Sequence, residues 1–196
     1  MPPEKSATSA TSADSFWANA GAWCEGRRPE LRLLLLCFLA WAGWRQFQDP
    51  EFYHIYSGLT LGFHEMGHII FVPFGETLTA AGGSITQLAI PILVGVLLYR
   101  QRDYFGIAVA GTWLASSMAN LSVYIGDARA EELPLVGFSD EPEHDWNWLL
   151  DHFNALSSDT RIAALVRVIG ELVLLASLLF GGWLCWQMWR SRSATA

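Results

Sequence analysis

Charged side chains are scarce in this chain, and cationic ones are the scarcest. Only 16% of the 196 residues are charged, and 12 Lys and Arg residues stand against 19 Asp and Glu, which gives a net charge of −7. A protein that neutralises nucleic-acid phosphates presents a basic surface. The sequence has no such surplus, so we expect no nucleic acid among its partners.

Cysteine is also rare, with 3 residues in the chain. Cys24, Cys37 and Cys185 lie far apart and form no Cys-x-x-Cys pair. An odd number without this spacing argues against a disulfide framework and against a cysteine-ligated zinc site. We interpret the three residues as small apolar fillers.

Apolar and aromatic side chains are abundant instead. They make up 52% and 13% of the residues, with 10 Trp and 11 Phe, and so few charges beside them are typical of a membrane protein. Residues 1–30 begin with a run of small polar residues and are predicted to be a disordered or weakly ordered tail. Residues 31–192 are predicted to form a single all-α integral membrane domain.

Apolar stretches with few charged residues predict about five transmembrane helices. The first apolar run lies between Arg32 and Arg45, and the last carries tryptophans at one end, which suits the aromatic belt of a membrane interface. Each of the three middle stretches lacks Asp, Lys and Arg and is long enough to cross about 30 Å of hydrocarbon. The five predicted spans are 33–44, 52–74, 77–99, 104–126 and 162–189.

The segment 75–90 leaves the topology open. Gly82, Gly83 and Pro91 are expected to break or kink the third span, so that this segment either crosses the membrane or re-enters it. With five spans the Lys and Arg residues divide almost equally between the two sides, and the positive-inside rule does not fix the orientation. The chain is predicted to be a multi-pass protein of the inner or plasma membrane if it is prokaryotic.

An acidic loop at 127–160 separates the last two spans. Between Asp127 and Asp159 there are nine acidic residues and one cationic residue, Arg129. Apolar residues from Trp146 to Leu156 follow a 3.6-residue period. This period predicts a short amphipathic helix that lies on the membrane or covers a site.

His64, Glu65 and His68 form the pattern His-Glu-x-x-His inside an apolar stretch. A helix places histidines four residues apart on one face, where both imidazoles can bind one zinc ion. Glu65 is then placed to take a proton from a zinc-bound water. Because ionisable groups are costly in hydrocarbon, they indicate a function here. The alternative is a pair of histidines that only hydrogen-bond across a helix bundle.

The segment 57–127 resembles the M50 intramembrane zinc metalloproteases of the site-2 protease type. The resemblance rests on the motif HEMGH in an apolar helix, on the glycine-rich segment 82–84, and on Asn120 and Asp127 at the end of a later span. In that family an Asp-Gly supplies the third zinc ligand, which implies this role for Asp127. The present sequence departs from that pattern because its glycine, Gly126, precedes the aspartate.

A third ligand is also required on chemical grounds, because a catalytic zinc takes three protein ligands and keeps one position open. Asp127 is the first candidate, since it ends the fourth span on the face where the HEMGH helix ends. Glu131, His144 and Asp145 are alternatives in the same loop. Asp127 has two further interpretations, as a helix cap or as the partner of Arg129.

The resemblance also implies how a membrane substrate is held. A substrate helix must unwind before attack, and exposed strand edges or side-chain amides of the enzyme hold it extended. Gly83, in the segment 82–87, would belong to such an edge, and Asn120 would supply such an amide. The alternatives are a plain turn at Gly82 and Gly83, and a helix-packing hydrogen bond from Asn120.

These residues predict an intramembrane Zn²⁺-dependent peptidase that cuts transmembrane or membrane-associated proteins, with Glu65 as general base. The lipid bilayer is its other expected partner, and no oligomeric state is predicted. One alternative is a catalytically inactive metal-binding protein that binds membrane clients. Another is a carboxylate-bridged di-iron oxidoreductase, because Glu65 and His68, like Glu141 and His144, have the Glu-x-x-His spacing.

Overall fold

The computed structural model describes residues 12–49, 52–135 and 144–193. Within these ranges the chain is helical and has no β-strand, which confirms the all-α class. Short 3₁₀ turns at Val72–Phe74 and Leu156–Ser158 accompany the α-helices. The helices are α1 (Ser12–Trp23), α2 (Glu30–Gln48), α3 (Ser57–Phe71), α4 (Glu76–Arg100), α5 (Tyr104–Gly126), α6 (Asp145–His152) and α7 (Asp159–Ser193).

Two segments of the described chain are long and apolar enough to cross a membrane: Glu76–Arg100, which is α4, and Leu156–Ser193, which includes α7. The predicted count of five spans is therefore not supported. α3 has only 15 residues, and at 1.5 Å per residue it covers about 22 Å, less than the hydrocarbon thickness. α2 carries Arg32 and Arg45 within its length, and α5 contains many buried hydroxyl side chains.

Helices α5 and α7 form the centre of the protein and run antiparallel. Near one end Gly126 lies against Ala163, and further along Gly111 lies against Ser177. Glycines let the two backbones approach closely, as in membrane helix pairs. α2 also runs antiparallel to α7, because Gly43 lies against Leu174 and α2 Leu36 lies against α7 Gly181.

α3 starts beside the middle of α5 and runs parallel to it. The Tyr56 hydroxyl, just before α3, lies 3.2 Å from Thr112 Oγ1, and Thr60 Oγ1 lies 3.3 Å from Ser117 Oγ. Near the end of α2, however, Gln46 Nε2 already donates to Ser116 O at 3.2 Å. The chain therefore turns back between α2 and α3, and the predicted span 52–74 is instead a returning segment followed by a short helix.

Of the predicted weakly ordered tail, residues 1–11 lie outside the described residues, Ser12–Trp23 forms the helix α1, and residues 24–29 form a turn and an irregular link to α2. α1 packs through Trp17 on Trp183, with 5.1 Å between ring centroids, and through Phe16 on Tyr104, with 5.5 Å. The cluster behind it includes two of the cysteines, Cys24 and Cys185, which are buried as predicted, whereas Cys37 is exposed. Burial of these aromatic rings offsets the conformational entropy that the segment loses when it becomes ordered. Its composition of small polar residues does not reveal this burial.

Candidate metal centre

Three side chains that could bind a metal converge where α3, α4 and α6 meet. His64 Nε2 and His68 Nε2 each lie 3.2 Å from the same atom, Asp145 Oδ2. The potential ligand atoms of these three residues all lie within 4.8 Å of one another. The two imidazoles thus point toward each other, as the His-Glu-x-x-His motif predicts, and the acidic loop supplies a carboxylate.

The spacing suits a zinc ion. Zinc binds histidine nitrogen and carboxylate oxygen at about 2.0–2.2 Å in a tetrahedral arrangement, which places neighbouring ligand atoms about 3.3–3.5 Å apart. The 3.2 Å separations between each Nε2 and Asp145 Oδ2 are close to this value. Three protein ligands would leave the fourth position open for water or substrate.

Each histidine is held by a hydrogen bond at its other ring nitrogen. His64 Nδ1 lies 2.8 Å from Gln87 Oε1, and His68 Nδ1 lies 2.8 Å from the carbonyl oxygen of Thr79. The Gln87 amide is itself oriented, because its Nε2 donates to Ser117 O at 3.2 Å. Since both acceptors are oxygens, each Nδ1 carries the proton and each Nε2 presents a lone pair, as in metal-binding histidines.

The convergence of two nitrogen lone pairs on one carboxylate oxygen is repulsive unless a cation lies between them. That cation is either a metal ion or the proton of an imidazolium. Asp145 is the negatively charged member of the cluster. Burial raises the pKa of Asp145, but its contacts with His64 and His68 outweigh that effect and hold the pKa below its usual value.

Asp145 is fixed by α5 as well as by the histidines. The Tyr124 hydroxyl donates to Asp145 Oδ2 at 3.0 Å and accepts from Asp145 N at 3.1 Å. The next residue, Trp146, donates from Nε1 to Ser84 Oγ on α4 at 3.0 Å. α6 therefore lies over the metal centre, and its first turn is tied to both α4 and α5.

His144, which precedes α6, is buried beside the metal centre but does not take part in it. Its Nδ1 accepts from Asn147 N at 3.2 Å and caps α6, and its ring packs on Tyr124 at a centroid distance of 4.3 Å. His144 Nε2 lies 3.4 Å from Asp127 Oδ2, an ion-pair distance when the ring is protonated, but no group in the described chain forms a hydrogen bond with it.

Asp127 lies outside the group formed by the histidines and Asp145. Its two carboxylate oxygens accept from Glu132 N at 3.0 Å and from Leu133 N at 3.1 Å. They satisfy the loop backbone that follows α5, which is a capping role. Of the candidates for third ligand, the structure places Asp145 beside the histidines and uses Asp127 to shape the loop.

Close helix packing replaces the predicted strand edge. The segment 82–87 belongs to α4, which continues past Pro91 without a break, so it neither forms an extended edge nor re-enters. A Cβ atom on Gly83 would lie 2.5 Å from His64 Nε2, and one on Gly67 would lie 2.2 Å from the Gly82 carbonyl oxygen. These glycines let α4 approach α3 closely enough for the His64 ring to fit between them.

The two remaining predicted residues have separate positions. Asn120 Oδ1 accepts from Gln46 Nε2 at 2.9 Å, so this amide joins α5 to α2. Glu65 is half-buried and is adjacent in sequence to His64. The position of Glu65 is compatible with a base near the metal centre, whereas the contact of Asn120 is the helix-packing alternative.

Comparisons with known proteins identify no relative of this chain. No family model, no curated protein and no solved structure matches the chain.

Proposed function

We propose that the chain is a membrane zinc peptidase in which His64, His68 and Asp145 bind the ion. The observation that carries this proposal is the direction of the two imidazoles. Both Nε2 atoms face one carboxylate oxygen, while both Nδ1 atoms are held by oxygen acceptors. This is the arrangement in which neighbouring hydrogen bonds fix the ring orientation of metal-binding histidines.

The chemistry divides between the ion and the side chains around it. When bound, zinc would polarise a peptide carbonyl and lower the pKa of water. Glu65 is adjacent in sequence to a zinc ligand and takes the proton from the attacking water. Tyr124 holds Asp145 in place through two hydrogen bonds, so a change at Tyr124 acts on the ion through its ligand.

The membrane assignment rests on four helices that lie side by side. α4 and α7 each meet the length and apolarity of a span. α2 and α5 lie antiparallel to α7 along much of its length, as Gly43 against Leu174 and Gly126 against Ala163 indicate. We therefore propose that α4, α5 and α7 cross the bilayer, and that α2 and α3 together cross it once, with α2 ending and α3 beginning beside the middle of α5.

The direct experiment compares wild-type protein with Glu65→Gln, purified without chelators. We expect about one zinc per chain in both proteins, and cleavage of a panel of transmembrane substrates by the wild type alone. Loss of a general base lowers the rate by roughly 10²- to 10⁴-fold. Zinc absent from the wild type, or undiminished cleavage by Glu65→Gln, would sink the proposal.

The second candidate is an inactive metal-binding protein that binds membrane clients. Two observations favour it: α6 lies over the metal centre, and the segment 82–87, which was predicted to hold an extended substrate, is helical. Zinc bound without turnover, with client binding unchanged in Glu65→Gln, would select this function. The di-iron alternative gains no support, because Asp145 is the only carboxylate in the described metal-binding group and Glu141 lies outside the described residues.

A further inference from the structure

The helix directions place the N-terminal and C-terminal arginines at the same end of the protein. Arg192, near the end of α7, donates a hydrogen bond to Glu30 at the start of α2. α1 packs on Tyr104 at the start of α5, through Phe16 and Trp23. The start of α2, the α4–α5 turn and the end of α7 therefore form one surface, which we call the arginine end. Its described arginines are Arg27, Arg28, Arg32, Arg100, Arg102, Arg190 and Arg192.

The arginine end also carries an aromatic girdle. Tryptophans of α1 and α7 gather here, and two arginines lie over their rings: Arg27 at 4.2 Å from the Trp23 centroid and Arg190 at 4.7 Å from the Trp186 centroid. Trp17 and Trp183 are in edge contact at 5.1 Å. Tryptophan and arginine together are typical of the level of the lipid headgroups.

The opposite end, which holds the metal centre, is acidic. Arg129 is paired with Asp159 at 2.7 Å at this end, and nearer the middle of α5 Arg45 is paired with Asp49 at 3.4 Å and Arg167 with Glu171 at 3.0 Å. Four acidic residues of the described chain, Asp14, Glu25, Glu30 and Asp103, lie at the arginine end; the others lie between the middle of α5 and the metal-centre end. Five predicted spans divide the Lys and Arg residues almost equally between the two sides of the membrane. Because the segment 52–74 does not cross the membrane as a span of its own, most of the described arginines lie on one side and most of the acidic residues on the other.

We propose that the arginine end binds the anionic headgroups of the cytoplasmic leaflet and that the metal centre opens on the opposite side of the membrane. Cytoplasmic segments carry an excess of Lys and Arg, and the anionic lipids of that leaflet attract these side chains. An acidic surface facing the same leaflet would be repelled. The charge separation therefore selects one of the two orientations.

The position of the metal centre along α5 gives its depth. Tyr124, which binds Asp145, lies 20 residues along α5 from its first residue, Tyr104. At 1.5 Å per residue this is about 30 Å, the thickness of the hydrocarbon core. The metal centre then lies at the far interface, where water is available, and not in the middle of the bilayer.

This depth narrows the substrate class, a step that rests on the proposed peptidase function. The substrates are membrane proteins whose scissile segment emerges on the non-cytoplasmic side, close to the interface. Such a segment has already left the hydrocarbon, so its amides are available without unwinding a full transmembrane helix.

Orientation is tested by single cysteines in a variant whose three native cysteines are replaced by alanine. Arg102→Cys reports the arginine end and Glu132→Cys the metal-centre end, and both positions are exposed. A second pair, Arg28→Cys and Asp151→Cys, covers the failure of either variant to fold. In intact cells a membrane-impermeant maleimide should label Glu132→Cys and Asp151→Cys, and label Arg102→Cys and Arg28→Cys only after permeabilisation. The reverse pattern, or labelling of all four in intact cells, overturns the proposal.

Lipid binding is tested on the purified protein in detergent. Phosphatidylglycerol should raise the melting temperature of the wild type more than phosphatidylcholine does, because a ligand of the folded state stabilises it. The double variant Arg100→Gln, Arg102→Gln should lose most of this difference, and Arg161→Gln, on the metal-centre side, should keep it. Equal effects of the two lipids on the wild type contradict the proposal. Neither experiment depends on zinc or on cleavage. A result that contradicts the proposed orientation or lipid binding therefore leaves the proposed peptidase function untouched, and the reverse also holds.

Discussion

The substitution Gly83→Ala tests whether the metal centre depends on the close approach of α3 and α4. An added Cβ at Gly83 would lie 2.5 Å from His64 Nε2, whereas ordinary contact begins at 3.4 Å. The His64 ring must therefore move by about 0.9 Å. It is not free to do so without cost, because its Nδ1 is bonded to Gln87 and its side chain is buried.

A displacement of this size is large for a metal ligand, because ligand distances in real sites stay within about 0.2 Å of their ideal values. We expect Gly83→Ala to weaken zinc binding by at least about 100-fold, the upper range for changes in residues that support ligands. Overpacking should also lower the free energy of unfolding by about 1–3 kcal/mol. Competition with a chromophoric chelator measures the zinc affinity, and thermal unfolding without zinc measures the second effect.

The matched control is Gly95→Ala, on the same helix. A Cβ there would lie 3.7 Å from Ala110 Cβ, which is an ordinary contact. This variant should bind zinc like the wild type and be equally or more stable, because alanine is favoured over glycine in a helix by up to about 1 kcal/mol. If Gly83→Ala binds zinc as tightly as Gly95→Ala, then the described packing of His64 against α4 is wrong.

Three further predictions concern the ligands of the metal centre, the tyrosine that holds Asp145, and the buried Cys24. Asp145→Asn should lower zinc affinity by at least about 100-fold, because it changes a proposed ligand. Asp127→Asn should keep zinc and lose about 1 kcal/mol of stability through its loop hydrogen bonds. The opposite ranking of the two variants in a zinc titration would make Asp127 the ligand. Tyr124→Phe removes both hydrogen bonds to Asp145 and should weaken zinc affinity about 10- to 100-fold with the stoichiometry unchanged; an unchanged affinity would exclude a positioning role. Burial raises the pKa of the Cys24 thiol to about 11, so about one molecule in 1,000 carries the thiolate at pH 8. Peptide mapping should therefore find maleimide on Cys24 only after denaturation. Rapid labelling of Cys24 in the native protein would contradict its burial.

The helical class and the histidine pair could be predicted because both depend on local spacing. Four residues between His64 and His68 place them on one helix face whatever surrounds the helix. The choice of third ligand is not local. Asp127 and Asp145 lie in the same acidic loop, and only the fold shows that the carboxylate of Asp127 is taken by backbone amides while that of Asp145 faces the histidines.

The number of spans and the role of the glycines needed long-range information in the same way. A run from 52 to 74 without Asp, Lys or Arg satisfies a length criterion, although Tyr56 and Thr60 show that α3 begins beside the middle of α5. Gly82 and Gly83 were expected to interrupt a helix, since glycine is a poor helix former. In the structure they are places where α3 lies close against α4, and that contact exists only in the folded protein.

The three donors are far apart in the order of synthesis. Asp145 follows His64 by 81 residues, and at about 5–20 residues per second the ribosome needs roughly 4 to 16 s to reach it. During that interval a nascent chain has the histidine pair but no carboxylate to complete it. The three-ligand metal centre is therefore complete only after α4 and α5 have been made, and a nascent chain that ends before α6 can offer an ion no more than the histidine pair.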